Sequence, residues 1–383
     1  MNVPVPKLDK QSPVPLYLQL LNWIREQILT GEWKSGMRLP TENELTAELG
    51  VSRVTVREAL GSAVTENLLV RVAGRGTFVS DKVSVTSPRK FIGYVVPTLS
   101  HSFNILPLLG VESVIKQAGY HLIFATSEGS LEKENLALRQ LDFEGVVGFV
   151  VSPVYDDSSD RYLKQLVERD RPVVQIDRCV KNLPIDLVSV DHYGGGYAVT
   201  RHLFDQGYTV ILFFGRQPLE LSSISERYRA YQAALNDAGL MPRPPMLIRD
   251  DMGEIDYKSI PEIMRHPDHP KIAGLTRWFL EGGLPQAIVA MNDLHALLVL
   301  EAAHYAGLCV PEDIAIVGFD DLDFTVSLNP PLTTVAQPPF DIGVRAAKML
   351  FDRINRVRGP AETITLPYRV VIRGSSARIM KEP

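Results

Sequence analysis

From Phe91 onward, continuous apolar runs alternate with amphipathic stretches. The runs have the length of strands: FIGYVVP, HLIFATS, VVGFVVSP, PVVQIDR, TVILFFG, QAIVAMND and IAIVGFDD. The stretches between them, such as LGVESVIKQAG and SDRYLKQLVER, have the apolar spacing of helices. Strands that are apolar on both faces and joined by helices are typical of buried parallel sheets. The alternation therefore predicts an α/β fold for this part of the chain.

A single parallel sheet of this length would be unusually wide, so we expect two α/β lobes with a cleft between them. Open α/β sheets bind ligands at the carboxyl ends of their strands. The polar and aromatic residues near these ends are the candidate ligand contacts: Phe103, Asp177, Asn292 and Asp320, with Arg227 at the start of the helix after TVILFFG. Carboxylates, an amide, a guanidinium and a ring suit the hydroxyls and the apolar face of a sugar.

Each of these candidates also has a purely structural interpretation. Asn292, or its neighbour Asp293, would cap the helix that follows it, and Phe103 would belong to the core. Asp177 would form a surface ion pair with Arg178, which contributes under ~1 kcal/mol. The same kind of residue recurs at several strand ends, and this recurrence favours a cleft.

The first eighty residues have a different organisation. Apolar spacing in LYLQLLNWIREQIL predicts a helix from Leu16, and LPTENELTAELG predicts a second helix. In that second helix Thr41 is the expected N-cap, Glu44 its capping-box partner and Gly50 the end. Ser52 is the expected N-cap of a third helix, and the strands around AGRG predict a hairpin. Three helices followed by a β-ribbon form a winged helix-turn-helix.

The third helix places Arg53 and Arg57 on one face and Val56 and Leu60 on another, apolar face. In a helix-turn-helix, the residues at the start of the second motif helix contact base edges in the major groove. Arginine suits this position because its fork binds O6 and N7 of guanine together.

Three further residues extend this candidate DNA interface. Thr55 would bond a phosphate or touch a thymine methyl, Arg38 would meet a backbone phosphate, and Arg75, at the hairpin tip, would enter a neighbouring groove or contact phosphate. The alternative is that the arginines are solvated surface residues, with Arg57 paired to Glu58 or Asp81.

Residues 16–80 resemble the DNA-binding domain of the GntR (gluconate-repressor) family. The matching text is ILTGEWKSGMRLPTENELTAELGVSRVTVREAL followed by GRGTFV. The resemblance implies DNA contacts at Arg38, Glu42, Arg53, Thr55, Arg57 and the wing glycine Gly76. Asn67 stands where the family usually has glycine, and asparagine tolerates the left-handed backbone that this turn needs.

Residues 91–383 resemble the effector-binding core of the lactose-repressor (LacI) family, which is similar to periplasmic sugar-binding proteins. The text that carries the resemblance includes FIGYVVPTLSHSF, ERYRAYQAAL, AIVAMNDLHALLVL and VPEDIAIVGFDDLDF. It implies effector contacts at Phe103, Asp177, Arg227, Asn292, Asp320 and Gln337. A GntR head and a linker replace the family's own head and hinge helix, so the whole chain resembles the chimeric class of arabinose-responsive repressors.

We therefore expect a winged helix-turn-helix over residues 1–80, a linker over 81–90, and a two-lobed effector-binding and dimerisation domain over 91–383. The expected function is that of a sugar-responsive repressor, a homodimer on a roughly palindromic operator in double-stranded DNA. An exported solute-binding protein and a nucleoside-responsive regulator of the same fold are the alternatives.

Other features exclude further classes of function. The net charge of -5 leaves nucleic acid binding to a local patch. The start lacks the apolar region of a secretory signal and no run approaches the ~18 residues that span a bilayer, so we expect a cytoplasmic protein without a membrane partner.

An enzyme on the same body would need a catalytic pair, metal ligands or a cofactor motif. Cys179 and Cys309 form no CxxC motif, and His192, His202 and His295 have no recognisable partner. The run 194–196 of glycines lacks phosphate-loop spacing, so close helix packing is expected there. We expect no catalytic residue, no metal and no cofactor.

Overall fold

The computed structural model describes residues 8, 15–81, 90–100, 102–155, 161–217, 219, 221–248, 266, 269–282, 284–355 and 359–377. The chain divides into two compact units, Met1–Arg89 and Lys90–Pro383. The expected linker over 81–90 falls on residues 82–89, which lie outside the described residues. Its boundaries stay a prediction.

The first unit is a winged helix-turn-helix, which confirms the predicted fold of this region. Its elements are α1 (Leu16–Leu29), α2 (Glu42–Leu49), α3 (Arg53–Thr65) and an antiparallel hairpin of β1 (Leu69–Val72) and β2 (Gly76–Val79). Its core gathers apolar side chains from these elements and from the segment after α1, including Ile24, Trp33, Leu45, Leu60 and Leu69.

Local side-chain chemistry determines where the helices of the first unit begin and end. Thr41 accepts from the backbone N–H of Glu44 at 3.3 Å and the Glu44 carboxylate accepts from that of Thr41 at 2.6 Å, which is the predicted capping box. Gly50 ends α2 in the left-handed conformation, and Ser52 caps α3. Asn67 has a φ of +60°, as its place in the turn requires.

The second unit contains two parallel sheets, as the alternation predicts. Its strands are β3 (Lys90–Val96), β4 (Tyr120–Thr126), β5 (Gly148–Val151), β6 (Val173–Ile176), β7 (Asp186–Val190), β8 (Ile211–Arg216), β9 (Met246–Ile248), β10 (Ala287–Ala290), β11 (Ala315–Val317), β12 (Thr334–Ala336), β13 (Thr363–Leu366) and β14 (Arg369–Val371). One sheet has the order β13-β7-β6-β5-β3-β4 and the other has the order β11-β10-β8-β9. A short antiparallel pair joins β12 to β14.

Helices cover these sheets and complete two lobes. The helices of the second unit are α4 (Ser102–Gln117), α5 (Leu131–Phe143), α6 (Arg161–Glu168), α7 (His192–Asp205), α8 (Ser222–Asp237), α9 (Pro270–Leu280), α10 (Asp293–Tyr305) and α11 (Pro339–Ile354). Lobe 1 consists of the six-stranded sheet with α4, α5, α6 and α11. Lobe 2 consists of the four-stranded sheet with α7 to α10. In the described part of the chain, the lobes are joined between β7 and α7, between β12 and α11, and between β13 and β14.

Two glycines permit close helix packing. A Cβ on Gly196 would lie 3.0 Å from the Cα of Arg227 and 3.1 Å from the Cβ of Ala230, so α7 and α8 pack closely there. This agrees with the packing expected of the glycine run. A Cβ on Gly343 of α11 would collide with the backbone of Pro107 in α4. No helix in the described ranges is long and apolar enough to cross a membrane.

Candidate functional site

The third helix of the first unit presents its arginines as the pattern predicts. Arg53 and Arg57 are exposed, while Val56 and Leu60 are buried against the core. Thr55 is half-buried, and its Oγ1 lies 2.8 Å from Oγ of Ser52. The start of α3 therefore exposes two guanidiniums, with a half-buried hydroxyl between them.

The side chain of Glu42 forms ion pairs with two arginines of the head, Arg57 and Arg71. Its carboxylate lies 3.5 Å from Nε of Arg57 and 3.2 Å from Nη2 of Arg71. The alternative partners considered for Arg57, Glu58 and Asp81, were therefore wrong, and Asp81 instead accepts from a serine hydroxyl at 2.7 Å. Exposed ion pairs contribute little stability, so this contact adds little to the stability of the head.

The wing brings together two residues that lie far apart in the sequence. Gly76 has a φ of +117°, and a Cβ there would lie 3.2 Å from Nε of Arg38. The absence of a side chain at Gly76 thus leaves room for the exposed Arg38. Arg75 is exposed in the turn before Gly76. Arg38, which bridges to Phe78 of the hairpin, and Arg75 in its turn are therefore both exposed.

A cavity of about 740 Å³ lies between the two lobes of the second unit. Five of the predicted effector residues line it: Phe103 and Asp177 from lobe 1, and Arg227, Asn292 and Asp320 from lobe 2. The volume is within the range of small-molecule sites, about 300–1,000 Å³. The cavity lies at the carboxyl ends of the strands, where open α/β sheets bind ligands.

Arg227 is the centre of the cavity's polar network. It is 6% exposed, its Nη1 donates to the carbonyl of Met291 at 2.7 Å, and its Nη2 lies 3.5 Å from Oδ1 of Asp320. Its guanidinium lies over the ring of Phe319, 3.7 Å from the centroid. A buried charge needs such partners, and together they hold the side chain in one orientation.

His192 joins Arg227 to Asp177, and sequence reasoning missed it. Its Nδ1 accepts from Nη2 of Arg227 at 3.3 Å, so the ring proton is on Nε2, which lies 3.2 Å from Oδ1 of Asp177. Burial lowers the pKa of His192, and the charge of Arg227 adds to this effect. The neutral imidazole therefore lies between two charged groups, and its Nε2 is within hydrogen-bond distance of Oγ of Ser189, at 3.1 Å, and of the backbone carbonyl of Asp177, at 3.3 Å.

The three histidines that lack a recognisable catalytic partner in the sequence each have a hydrogen-bond partner in the fold. Besides the bridge made by His192, Nε2 of His202 lies 2.8 Å from Oγ of Ser376, and Nδ1 of His295 lies 2.6 Å from Oδ1 of Asn292. The position of His192 could have pointed to the cavity, because only one residue separates it from the carboxyl end of strand β7. That strand was not recognised in the sequence.

The two aspartates of the cavity have opposite protonation behaviour. Burial pushes the pKa of Asp177 upward, but the contact with His192 and the charge of Arg178 outweigh it and hold the pKa below its usual value. Burial raises the pKa of Asp320 to about 7, against the opposing charge of Arg227. Both residues have positive φ, 64° and 116°, a backbone strain that often occurs at functional sites.

Some of the structural interpretations hold alongside the functional ones. Asn292 caps α10 by accepting from the backbone N–H of His295 at 3.0 Å, and it also lines the cavity. Phe103 is buried, and it belongs to lobe 1 but packs with the apolar cluster of lobe 2 that includes Leu294. The pair Asp177–Arg178, 3.5 Å apart, lies in the cavity wall rather than on the outer surface.

Gln337 lies behind the cavity rather than in its wall. Its Nε2 donates to Oδ1 of Asp320 at 2.7 Å, and only 9% of the residue is exposed. Asp293 is fully buried and accepts from Oγ1 of Thr334 at 2.6 Å and from the backbone N–H of Leu322 at 2.8 Å. Both residues therefore support the loops that carry Asp320 and Asn292.

A winged helix-turn-helix and a two-lobed body that encloses a polar cavity are together typical of ligand-responsive regulators of transcription. Residues 16–79 match the bacterial regulatory proteins of the gntR family, and residues 200–376 match the periplasmic binding protein-like domain. The chain carries a GntR-family DNA-binding domain joined to a periplasmic binding protein-like domain, and it is a DNA-binding transcriptional regulator.

Curated relatives match almost the whole chain. The arabinose metabolism transcriptional repressor of Geobacillus stearothermophilus is 29% identical over 97% of this chain and 100% of its own length. The repressor of the same name from Halalkalibacterium halodurans is 27% identical over 94% of this chain and 96% of its own. A LacI-family transcriptional regulator of Sanguibacter keddieii, 26% identical, superposes on 75% of this chain and 98% of its own with a TM-score of 0.62. These relatives are regulators of transcription, which confirms that the chain is not an enzyme.

Proposed function

We propose that this chain is a repressor whose affinity for a DNA operator is controlled by a sugar or sugar derivative in the cavity between its lobes. The observation that carries the proposal is the buried network of Arg227, His192, Asp177 and Asp320 in the cavity wall. Fixed donors and acceptors of this kind suit a polyhydroxylated ligand. The relatives named for arabinose metabolism support a sugar.

Each predicted effector residue has a role in this proposal. Asp177 and Asp320 accept from ligand hydroxyls, Arg227 and Asn292 donate to ligand oxygens, and Phe103 covers an apolar face of the ring. Gln337 acts indirectly, because it holds the carboxylate of Asp320. Since lobe 1 supplies some contacts and lobe 2 the others, a bound ligand favours the closed arrangement of the lobes.

The DNA contacts follow from the exposed side chains of the head. Arg53, Arg57 and Thr55 read base edges and phosphates from α3, and Arg38, Arg75 and Gly76 contact DNA from the wing. Glu42 contributes through its contact with Arg57. An Arg53→Ala variant tests this assignment, because only a base-reading side chain changes the preferred sequence.

A homodimer provides the two heads that a palindromic operator needs. Exposed apolar side chains on α4 and α11, namely Ile105, Leu109 and Phe340, are 39 to 45% exposed and form a candidate subunit interface. Half-sites would then lie about ten base pairs, or a multiple, apart. Such a protein acts in the cytoplasm, with head, linker and body over residues 1–80, 81–90 and 91–383.

A ligand screen with the full-length protein tests the proposal. A ligand that binds the folded protein raises the melting temperature by mass action, so arabinose, other sugars and nucleosides are compared by thermal shift. The hit is then added to a complex with operator DNA selected from random duplexes. Release of DNA by a sugar supports the proposal, whereas a response to nucleosides alone supports the alternative regulator. A sugar that binds without changing DNA affinity contradicts it.

A further inference from the structure

The third helix of the head carries an exposed apolar side chain that the proposed DNA contacts do not include. Val54, the second residue of α3, is 71% exposed. Among the large apolar side chains that the structure describes, only Met241 is more exposed. Single exposed apolar residues are common on protein surfaces, so the place of Val54 on the helix decides its meaning.

The direction of Val54 on α3 is almost opposite to the core. Successive residues of a helix are rotated by about 100°. The buried residues of α3 all fall on one side of it: Val56, Ala59, Leu60 and Ala63. Val54 lies about 170° from their mean direction, with the exposed Arg57 and Glu58 on either side of it. Val54 is therefore at the centre of the face that α3 presents to solvent.

An apolar side chain at this position has one suitable partner in the major groove. The residues near the start of the second motif helix contact base edges there. Among the groups that the base pairs present in that groove, the C5 methyl of thymine is the one that an apolar side chain recognises. Valine suits this contact because its branched side chain is held in one preferred rotamer in a helix, so the contact costs little side-chain entropy.

Thr55 is the other side chain at the start of α3 with a methyl group to offer. It is half-buried, and its Oγ1 lies 2.8 Å from Oγ of Ser52, the N-cap of the helix. Its direction on the helix differs from that of Val54 by about 100°, which places it at the side of the exposed face. Val54 is therefore the better placed of the two for an apolar contact with a base.

We infer that Val54 recognises a thymine of the operator by apolar contact with its C5 methyl group, and that it determines base specificity at that position. The thymine lies close to the base that Arg53 contacts, since the two residues are consecutive at the start of α3. The contact selects a methyl group rather than a pattern of hydrogen bonds. This inference rests on the proposed placement of α3 in the major groove and adds a specificity-determining residue to it.

Replacement of single thymines by deoxyuridine in the selected operator tests the inference. Deoxyuridine keeps the base pair and its hydrogen-bonding groups and lacks only the methyl group. Fluorescence anisotropy with the full-length protein is expected to show a loss of affinity of about threefold to tenfold at one thymine of each half-site, the size expected for one buried methyl contact. The loss is expected to be the same at two salt concentrations, because an apolar contact releases no counterions from the phosphates.

Variants identify the side chain that is responsible. Val54→Ala favours the helix, since alanine has the highest helix propensity, and it is expected to reduce the deoxyuridine effect to less than about twofold. Val326→Ala makes the same change at a valine of the second unit that is 58% exposed, and it leaves the effect unchanged. Thr55→Ser removes only the methyl group of Thr55. Loss of the effect in Thr55→Ser, with the effect retained in Val54→Ala, overturns the inference.

The remaining outcomes separate this inference from the placement of α3. If Arg53→Ala relaxes base choice but no deoxyuridine weakens binding, the inference is wrong and the placement stands. The same conclusion follows if the deoxyuridine effect has its full size in Val54→Ala. If neither Arg53→Ala nor any deoxyuridine changes the specificity, α3 does not read the groove, and the proposed DNA contacts fail together with the inference.

Discussion

Replacing Asp320 by asparagine is expected to stabilise the body of this regulator. The carboxyl is 8% exposed, and burial raises its pKa to about 7 from the ordinary value of 3.8. A pKa of about 7 in place of 3.8 means that the ionised form costs about 4 kcal/mol more in the folded state. Asparagine resembles the neutral acid in shape, and its Oδ1 still accepts from Gln337.

The sign of the pH dependence follows from the raised pKa. Between pH 4 and pH 7 the unfolded chain loses this proton while the folded chain keeps it, so wild-type stability falls as the pH rises through this range. Above pH 7 the carboxyl is ionised in both states, and the loss of folding stability has its full size. The gain in unfolding free energy of Asp320→Asn over wild type therefore grows between pH 4 and pH 7. At pH 8 it is at most about 4 kcal/mol, because the substitution also removes the anion that lies beside Arg227.

Urea unfolding of the full-length protein at pH 5 and pH 8, followed by circular dichroism, measures this difference. Asp323→Asn is the matched control, since Asp323 is exposed on the short 3₁₀ helix Asp323–Ser327 and a change there stays within about 0.5 kcal/mol. A variant that is no more stable than wild type at pH 8, or whose advantage does not depend on pH, refutes the reasoning. The same variant is expected to lose its response to the effector.

Three further predictions concern other parts of the chain. Arg53→Ala is expected to cost about 1–3 kcal/mol of specific DNA binding and to relax base choice at one position; fluorescence anisotropy with matched and mismatched operators checks both effects, and unchanged specificity contradicts the placement of α3. Glu42→Gln weakens the ion pairs with Arg57 and Arg71 and removes a negative charge near DNA, so the ratio of specific to non-specific DNA affinity is expected to fall. A ratio equal to that of wild type shows that these ion pairs do not contribute to specific binding. Gly343→Ala forces a Cβ into the backbone of Pro107 and costs about 1–3 kcal/mol in urea unfolding, whereas Gly274→Ala, with open space around it, changes stability by less than about 1 kcal/mol.

Local signals in the sequence were sufficient to predict the fold of the head and the α/β class of the body. The capping box at Thr41 and Glu44, the cap at Ser52 and the left-handed Asn67 are properties of a few neighbouring residues, so they survive in the fold. The long apolar strands of the body are equally local, because burial on both faces gives them an unbroken apolar run.

Features that depend on distant partners were not predictable in the same way. Strands β7 and β12 to β14 are short, and their places depend on pairing with strands far away in the chain. Because β7 was not recognised, His192 at its end was missed as the bridge between Asp177 and Arg227. The position of Gln337 behind Asp320 likewise depends on a contact between the two loops.

The central claim is that a ligand in the cavity changes the affinity of the head for DNA. The most direct test measures the dissociation constant of the full-length protein for its selected operator with and without saturating effector. The account predicts a change of about 5- to 150-fold, the usual size of an allosteric coupling, and no change in an Asp320→Ala variant that still binds DNA. An operator affinity that is the same with and without bound effector would contradict it.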